Sequence, residues 1–483
     1  MESRRTFSPR TENRLFLSLV LSLKYTQYLG KFNSFQYGVS LTFIYLYFES
    51  LMRSLFFITS LFVLSALVQA KPNVVFILSD DQGWDDYGFM GSNQVNTPHL
   101  DQLAAESLLF KRGYVTSPLC RPSLASMVTG LHTHQHQVTG NDVDGRNNRA
   151  ELDKPVRAFF HQQPSFIKAL VADGYLAHQS GKWWEGSWQD GGFTAGMTRG
   201  DRHGDKGLVI GRKGMKPVTD FIDNAVENEK PFCVWYAPFL PHTPHNPPKR
   251  LIEKNSKAGR AMDVVKYYAM IEWFDETCGE LLGHLKKKNL EQDTLVVYMC
   301  DNGWKAKSQS EIELPNAWTF SYAPKSKGSP YEYGIRTPIM FKWPSKISPV
   351  SSPALASGVD LYTTILSQCG VNYPDTMPGI NLVDEKARAA RKSVFGVSYA
   401  IHNMTVENPV DTKQYRWLIH ENWKYLVRDH GVDTTKYKYV HEWDTTPEHL
   451  YDLSRDPGEK VNLVSSQPEL TSKLRQKLQN FLK

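Results

Sequence analysis

Three continuous apolar runs constrain the fold of this chain more than any other feature of its sequence. They span residues 74–78, 232–236 and 295–299. Runs of this length without polar residues are typical of strands buried on both faces, as in a parallel sheet covered by helices. A helical pattern over 267–285 separates the last two runs, and another covers 166–171. Strands that alternate with helices predict an α/β fold with a large mixed, mostly parallel sheet flanked by helices.

A further helix is predicted to start at Thr97-Pro98, because threonine is a favoured N-cap and proline fits the first helical turn. Apolar Leu100, Leu103 and Leu108 follow at helical spacing. We therefore expect one amphipathic helix that continues through Leu108.

The pattern of the chain changes after about residue 390. Short strand-like segments are joined there by polar connections, and apolar residues recur at helical spacing over 469–482. The strand-like segments are 394–397, 415–419 and 425–427. This arrangement predicts a small antiparallel sheet with a terminal helix. The expected domains are therefore a large one over 71–390 and a small C-terminal one over 391–483.

Residues 52–70 have the three parts of a secretory signal peptide: a positive charge, an apolar stretch and a small-residue cleavage site. We expect cleavage after Ala70, a secreted or periplasmic protein, and no stable membrane anchor. Residues 1–51 lack helical or strand periodicity, which indicates an erroneous extension ahead of a true start at Met52. The alternative is a genuine membrane-associated leader.

Charge and cysteine content exclude several classes of protein. The chain carries +6 at pH 7, but residues 1–70 hold seven Lys/Arg and three Asp/Glu, so the remainder carries only +2. A nearly neutral domain gives no reason to expect a nucleic-acid partner. The five cysteines are odd in number and widely spaced, which argues against a disulfide framework and against a Cys-x-x-Cys metal site.

Polar residues follow each of the three apolar runs. Asp80 and Asp81 follow the first, His242 follows the second, and Asp301 and Asn302 follow the third. Because ligands bind beyond the carboxyl ends of parallel strands, these side chains are expected to meet at one edge of the sheet. Converging carboxylates favour a cation that prefers oxygen ligands, Ca²⁺ or Mg²⁺ rather than Zn²⁺. Either acidic pair alone would be an ordinary turn, but two pairs at separate strand ends favour a metal site.

Cys120 differs from the other cysteines because it lies in a polar turn. Pro122 fits a first helical turn and Gly130 a helix end, so we expect Cys120 at the N-terminus of a helix. Backbone N–H groups and the helix dipole favour an anion there, and a thiolate could act as a nucleophile. A buried structural cysteine is the alternative.

Seven segments, in their order and spacing, resemble the sulfatase family of the alkaline phosphatase superfamily. They are NVVFILSDD from Asn73, Cys120-x-Pro122-Ser123, Gly181-Lys182-Trp183, Pro241-His242-x-Pro244, Asp301-Asn302-Gly303, KGSPYEYGIRTP from Lys327, and LYDLSRDPGEKVNL from Leu450. The resemblance covers essentially all of 71–465. It implies a large α/β domain with a small C-terminal four-stranded sheet, and it makes 71–390 the catalytic sulfatase domain.

The resemblance also implies a role for each candidate residue. A formylglycine-generating enzyme would oxidise Cys120 to formylglycine, whose hydrated aldehyde attacks sulfur. Lys182 and Lys327 would grip the sulfate, and His242 would protonate the leaving alcohol. The residues that would hold Ca²⁺, or Mg²⁺ in its place, are Asp80, Asp81, Asp301, Asn302 and residue 120. The chain would then be a sulfuric ester hydrolase. The export signal and the tryptophans near Lys182 make sulfated carbohydrate the expected substrate.

Two positions depart from the family pattern. The family has arginine four residues after the cysteine, where this chain has Leu124, and histidine two residues after the lysine, where it has Trp184. Arg121 is a poor substitute, because one residue along a helix turns the side chain about 100° away. The missing arginine leaves open a catalytically silent binder of sulfated glycans. A phosphodiester or phosphonate hydrolase on the same scaffold is the other alternative, because sulfate and phosphate esters are both tetrahedral anions that a metal–lysine site tolerates.

Two segments beside the candidate site admit more than one interpretation. Trp183, Trp184 and Trp188 cluster near Lys182, where tryptophans can stack on sugar faces, although core packing is more frequent. A polar, glycine-containing stretch over 202–206 is either a substrate loop or a solvated turn.

Overall fold

In the computed structural model of the chain, the first apolar run, 74–78, lies in the central strand of the larger of two sheets. The structure describes residues 47–50, 71–143, 149–307, 322–399, 404, 408–429 and 446–481. The predicted signal peptide, 52–70, and nearly all of 1–51 lie outside the described residues. Among the described residues, no helix combines the length and the apolar character needed to cross a membrane.

The larger sheet has nine strands, arranged in the order β4-β3-β5-β1-β6-β7-β2-β8, with β9 paired to β2. The strands are β1 (Asn73–Ser79), β2 (Leu108–Tyr114), β3 (Leu176–Gly181), β4 (Ala195–Gly196), β5 (Phe232–Ala237), β6 (Thr294–Cys300), β7 (Arg336–Lys342), β8 (Val350–Ser352) and β9 (Ala356–Ser357). All neighbouring pairs are parallel except those that β7 makes with β6 and β2. The prediction of a large mixed, mostly parallel sheet is confirmed.

Helices cover both faces of this sheet, and each face carries its own apolar cluster. The helices before the second sheet are α1 (Pro98–Ala105), α2 (Cys120–Thr129), α3 (Thr133–His136), α4 (Arg149–His161), α5 (Phe166–Ala172), α6 (Lys216–Glu227), α7 (Lys249–Asn255), α8 (Met262–Lys287), α9 (Glu332–Ile335), α10 (Asp360–Cys369) and α11 (Glu385–Ala390). Alternate side chains of β1 enter the two clusters, Val74 and Phe76 on one face and Val75 and Ile77 on the other. This two-sided burial is why the run contains no polar residue.

The second sheet has four antiparallel strands in sequential order. They are β10 (Ser393–Tyr399), β11 (Lys413–His420), β12 (Trp423–Arg428) and β13 (Glu448–Asp452). The terminal helix α12 (Pro468–Phe481) packs Leu474 and Leu478 against Leu418, Tyr425 and Leu450 of this sheet. The prediction of a small antiparallel sheet with a terminal helix is confirmed. Residues 71–483 form one compact unit, and a domain boundary at 390 stays a prediction.

The prediction of one helix through Leu108 is wrong. The helix α1 starts at Pro98 as expected but ends at Ala105, and Leu108 is the first residue of β2. The hydroxyl of Thr97 makes no capping bond; it accepts from the Gly88 N–H at 2.9 Å. Leu108 is apolar because it is buried in the sheet, so its helical spacing from Leu100 is coincidental.

Gly181 ends β3 where that strand approaches β5 most closely. Its φ is +87°, and a Cβ built there would lie 1.8 Å from the carbonyl oxygen of Ala237. The next residue, Lys182, donates its backbone N–H to the same oxygen at 2.6 Å. Glycine at 181 therefore allows β3 to bring Lys182 over the carboxyl end of the sheet.

We predict that Gly181→Ala destabilises the fold strongly. Left-handed backbone costs a non-glycine residue about 1–2 kcal/mol, and overpacking against Ala237 adds about 1–3 kcal/mol. Gly174→Ala is the matched control, because its φ is +93° but no atom lies within 4 Å of the added Cβ. Chemical denaturation should give a clearly larger loss of unfolding free energy for Gly181→Ala. Equal losses for the two variants would contradict the close approach.

Candidate active site

The structure brings all eight predicted site residues together at the carboxyl edge of the larger sheet. Hydrogen bonds, ion pairs and close contacts link them into one cluster. Five come from the ends of β1, β5 and β6, as the sequence predicts, and three from β3, the start of α2 and the segment before α9. The eight are Asp80, Asp81, Cys120, Lys182, His242, Asp301, Asn302 and Lys327.

Strand register explains why the carboxylates converge. Within the parallel pair β1 and β6, Ser79 lies opposite Cys300, so Asp80 and Asp301 leave the sheet side by side. The backbone N–H of Asp301 donates to the Ser79 carbonyl at 3.0 Å and extends the ladder by one residue. Asp81 then adopts a left-handed φ of 65°, and its N–H donates to Asp301 Oδ1 at 3.1 Å.

Lys182 holds two of the carboxylates from a fully buried position. Its Nζ donates to Asp80 Oδ1 and, at 2.9 Å, to Asp301 Oδ2. Burial alone would lower the pKa of this ammonium, but Asp301 and Asp80 outweigh it and raise the pKa well above its ordinary value. Lys182 is therefore a permanent cation in the metal-free site.

Lys327 makes the corresponding contact with the third carboxylate. Its Nζ lies 2.5 Å and 2.6 Å from the two oxygens of Asp81, and 3.3 Å from Cys120 Sγ. Burial opposes its charge, but Asp81 more than compensates and raises the pKa of the ammonium. The lysine thus joins the acidic cluster to the side chain at position 120.

Two buried oxygens in the cluster have no hydrogen-bond partner: Asp80 Oδ2 and Asn302 Oδ1. Buried polar atoms without a partner are costly and point to a missing ligand. Burial raises the pKa of Asp80 well above its ordinary value, although Lys182 acts in the opposite direction. Ligand atoms of Asp80, Asp81, Cys120 and His242 all lie within 4.8 Å of one another. The residues present therefore fit a bound metal ion.

Cys120 is the first residue of α2, as predicted, and its side chain is fully buried. Burial raises the pKa of its thiol to about 12, although Lys182 and Lys327 act in the opposite direction. A thiol with this pKa holds almost no thiolate at neutral pH. Position 120 is therefore well placed for chemistry, but the unmodified thiol is a poor nucleophile.

His242 faces the cluster with Nε2 3.5 Å from Asp81 Oδ2. Its Nδ1 lies 2.6 Å from the Thr243 carbonyl oxygen, to which it can donate. Burial, together with Lys327 and Lys182, lowers the pKa of the imidazole well below its ordinary value. His242 is thus neutral here, with Nε2 directed at the reactive edge of the site.

The departure at Leu124 is accommodated by apolar packing. Leu124 is 5% exposed and belongs to the same apolar cluster as Trp184. Arg121 does not supply the missing charge, as predicted from its helical position: its guanidinium pairs with Glu185 at 2.7 Å and Asp153 at 2.6 Å. The guanidinium of Arg121, next to Cys120 in this helix, is therefore neutralised by two carboxylates and has a structural role.

The other departure, Trp184, is buried near two guanidinium groups. The Cζ atoms of Arg121 and Arg202 lie 6.0 Å and 5.0 Å from the indole ring centre. The ring of His203 is perpendicular to the indole ring, with 4.3 Å between the two ring centres. The centre of the His203 ring also lies 5.7 Å from that of His242. His203 was not predicted as a site residue. The only indication in the sequence was the glycine-containing stretch around it, which could be a substrate loop or a solvated turn.

Comparison with known proteins agrees with this fold. The family model for Sulfatase matches residues 72–371, and that for the C-terminal part of N-sulphoglucosamine sulphohydrolase matches 326–483. The chain belongs to the sulfatase family and is a sulfuric ester hydrolase. Human arylsulfatase A is 26% identical over 85% of this chain and 87% of its own length. N-acetylgalactosamine-6-sulfatase of Mus musculus is 26% identical over 84% of each chain.

Solved structures share the same architecture. An enzyme in complex with its substrate D-glucosamine-2-N,6-O-disulfate superposes with a TM-score of 0.61, at 19% identity, over 85% of this chain and 97% of its own. The phosphonate monoester hydrolase of Agrobacterium radiobacter also reaches a TM-score of 0.61, at 16% identity, over 85% and 95% of the two chains. At these identities the likeness extends to the fold alone.

We predict that Lys182→Met destabilises the metal-free protein by about 3–5 kcal/mol, because it leaves Asp80 and Asp301 buried without their counter-ion. Lys216→Met is the matched control. It removes an exposed pair with Asp220 and should cost about 0.5 kcal/mol or less. Urea denaturation in the presence of a chelator measures both losses. A loss for Lys182→Met as small as that of the control would mean that the carboxylates do not depend on this lysine.

Proposed function

We propose that the chain hydrolyses sulfate esters of carbohydrates, with residue 120 as formylglycine and Ca²⁺ as its metal. The observation that carries this proposal is the contact network around position 120. Lys327 bridges Cys120 Sγ and Asp81, while Lys182 bridges Asp80 and Asp301. Two cations, three carboxylates and the residue to be modified thus lie in one buried cluster.

Asp80, Asp81, Asp301, Asn302 and residue 120 would hold the cation. Asp80 Oδ2 and Asn302 Oδ1 are the partnerless oxygens that a cation would satisfy, and an all-oxygen set from the acids and the amide suits Ca²⁺, with Mg²⁺ as the alternative. When bound, the metal would offset negative charge on the sulfate oxygens as the ester bond breaks.

Charge balance supports a singly charged ester as substrate. Three ionised carboxylates and two ammonium groups leave one negative charge, which a divalent cation converts to one positive charge. A sulfate monoester, which carries a single negative charge, neutralises the site. A doubly charged phosphate monoester would leave it negative. Phosphodiesters and phosphonate monoesters are also singly charged, so the rival hydrolase activity must be distinguished by experiment.

Cys120 is proposed as the precursor of formylglycine, introduced by a formylglycine-generating enzyme. Two features support this: the Cys120-x-Pro122-Ser123 segment, and a thiol whose raised pKa makes it a poor nucleophile in this site. Formylglycine, as its hydrate, would supply the hydroxyl that attacks sulfur. Export through a signal peptide ending at Ala70 would expose the chain to this modification and to extracellular substrates.

The lysines and His242 would act on the substrate directly. With a cation beside the carboxylates, Lys182 and Lys327 could turn from those carboxylates to the sulfate oxygens. His242 would protonate the leaving alcohol through Nε2. Burial, together with the two lysines, holds its pKa down, so the negative charge of a bound sulfate should raise the pKa and make a proton available in the complex.

Sulfated sugars are the proposed substrate class. The mouse relative is named for N-acetylgalactosamine-6-sulfate, and the glucosamine-disulfate complex has a sulfated sugar as its substrate. The phosphonate monoester hydrolase shares the fold at 16% identity, so it supports the alternative activity more weakly.

We predict that protein co-expressed with a formylglycine-generating enzyme hydrolyses a sulfated monosaccharide and an aryl sulfate much faster than an aryl phosphonate or a phosphodiester. Chelation should abolish this activity and lower the thermal midpoint, because a ligand bound only by the folded state stabilises it. Ca²⁺ should restore both. Faster turnover of phosphonate than of sulfate would assign the chain to the rival class, and full activity after chelation would exclude the metal.

The departure at Leu124 predicts incomplete modification of Cys120. The modification segment remains, but its arginine is absent. We expect Leu124→Arg to raise the modified fraction, whereas Leu124→Met, which keeps the apolar packing, should leave it unchanged. Peptide mass spectrometry measures the fraction of chains that have lost the thiol. If neither the natural sequence nor Leu124→Arg is modified while a control sulfatase is, the chain is a silent binder. Turnover per modified molecule could still fall in Leu124→Arg, since an unpaired buried charge costs several kcal/mol.

A further inference from the structure

The loop that carries Arg202 and His203 is held in one conformation by a single carboxylate. Asp205 Oδ2 accepts backbone N–H groups from Arg199 at 2.8 Å, Gly200 at 3.0 Å and Asp201 at 3.0 Å. Three bonds from consecutive residues fix the chain just before Arg202. The loop is therefore built to present its side chains in a defined direction.

The loop also lies tightly against the strand that delivers Lys182. A Cβ at Gly204 would come within 2.3 Å of the Gly181 carbonyl oxygen. His203 has a left-handed φ of 65°, and its carbonyl accepts the Trp183 N–H at 3.0 Å. Left-handed backbone in a non-glycine residue persists where surrounding structure enforces it, and such residues concentrate at functional sites.

Arg202 is oriented by two partners. Its Nε and Nη2 donate to the two oxygens of Asp142 at 3.1 Å and 2.9 Å, and its Nη1 lies 2.8 Å from His203 Nε2. Two parallel bonds fix the plane of the guanidinium, which lysine could not reproduce. The charges of Arg202 and Asp142 cancel, so the pair is polar but carries no net charge.

These residues lie where the buried site meets solvent. The Lys182 side chain is fully buried, Asp142 is 12% exposed and Arg202 is 35% exposed. The ring of His203 lies between Trp184 and His242. A substrate whose sulfate reaches Lys182 and Lys327 would carry its alcohol portion past this group of side chains.

We propose that Arg202, Asp142 and His203 form a subsite that binds hydroxyl groups of the sugar bearing the sulfate ester. This subsite rests on the proposed function. A neutral guanidinium–carboxylate pair offers donors and acceptors side by side, which suits vicinal hydroxyls better than a second anion. Trp184 does not serve as a stacking platform for the sugar, because it is only 4% exposed. Recognition at this end of the site is therefore by hydrogen bonds.

The test compares two substrates in the same holoenzyme: a sulfated monosaccharide and an aryl sulfate that lacks sugar hydroxyls. Arg202→Met should lower kcat/KM for the sugar sulfate about 10–100-fold, because it removes the oriented donors and their ion pair with Asp142. The loss on the aryl sulfate should be much smaller, so that the ratio of the two kcat/KM values falls about 10-fold or more. Arg202→Lys, which keeps charge without the planar fork, should show an intermediate loss on the sugar sulfate alone.

Arg475→Met is the matched control, since Arg475 makes a comparable bidentate pair with Glu448 in the second sheet. It should change neither substrate. Should Arg202→Met fail to fold, Asp142→Asn, which keeps the side-chain shape, must show the same selective loss. Equal losses on both substrates, or no loss on either, would overturn the subsite. A wild-type enzyme that cleaves neither sulfate ester would instead overturn the proposed function.

Discussion

The structure depends on burying three carboxylates, two lysines and a thiol together at the edge of one sheet. Removing charges from water is so costly that each must find a partner, and every lysine in this cluster bridges at least two groups. Asp80 Oδ2 and Asn302 Oδ1 nevertheless remain without partners. The cluster thus satisfies most of its charge internally, and these two oxygens are the ones that a bound cation would satisfy.

Several separate features of the fold, rather than one motif, bring these residues together. Parallel pairing of β5, β1 and β6 aligns three strand ends, and the absence of a side chain at Gly181 lets β3 add Lys182 from the side. The helix α2 contributes Cys120 at its first residue. Beyond this core, the loop carrying Arg202 forms the boundary with solvent. The proposals therefore place the chemistry on buried residues fixed by the sheet, and substrate specificity on partly buried residues in and beside a loop.

Much of this could be predicted from the sequence, because strands buried on both faces leave uninterrupted apolar runs, and the polar residues after them are then gathered by topology. The incorrect prediction concerns a single element. Leu108 lies at helical spacing but begins β2, because buried positions in strands and on helix faces both favour apolar residues. The proximity of His203 to His242, and the pairing of Arg121 with Glu185, arise from contacts between distant segments. Spacing along the chain carries no signal for them.

The central claim is that this carboxylate cluster is a cation site whose lysines are released to bind sulfate. A crystal structure of the protein with Ca²⁺ and sulfate tests it most directly. We expect one cation bonded to Asp80 Oδ2 and Asn302 Oδ1, with Lys182 and Lys327 donating to sulfate oxygens. A cation bound elsewhere, or lysines that keep their present bonds to the three carboxylates while sulfate binds at another surface, would contradict this account.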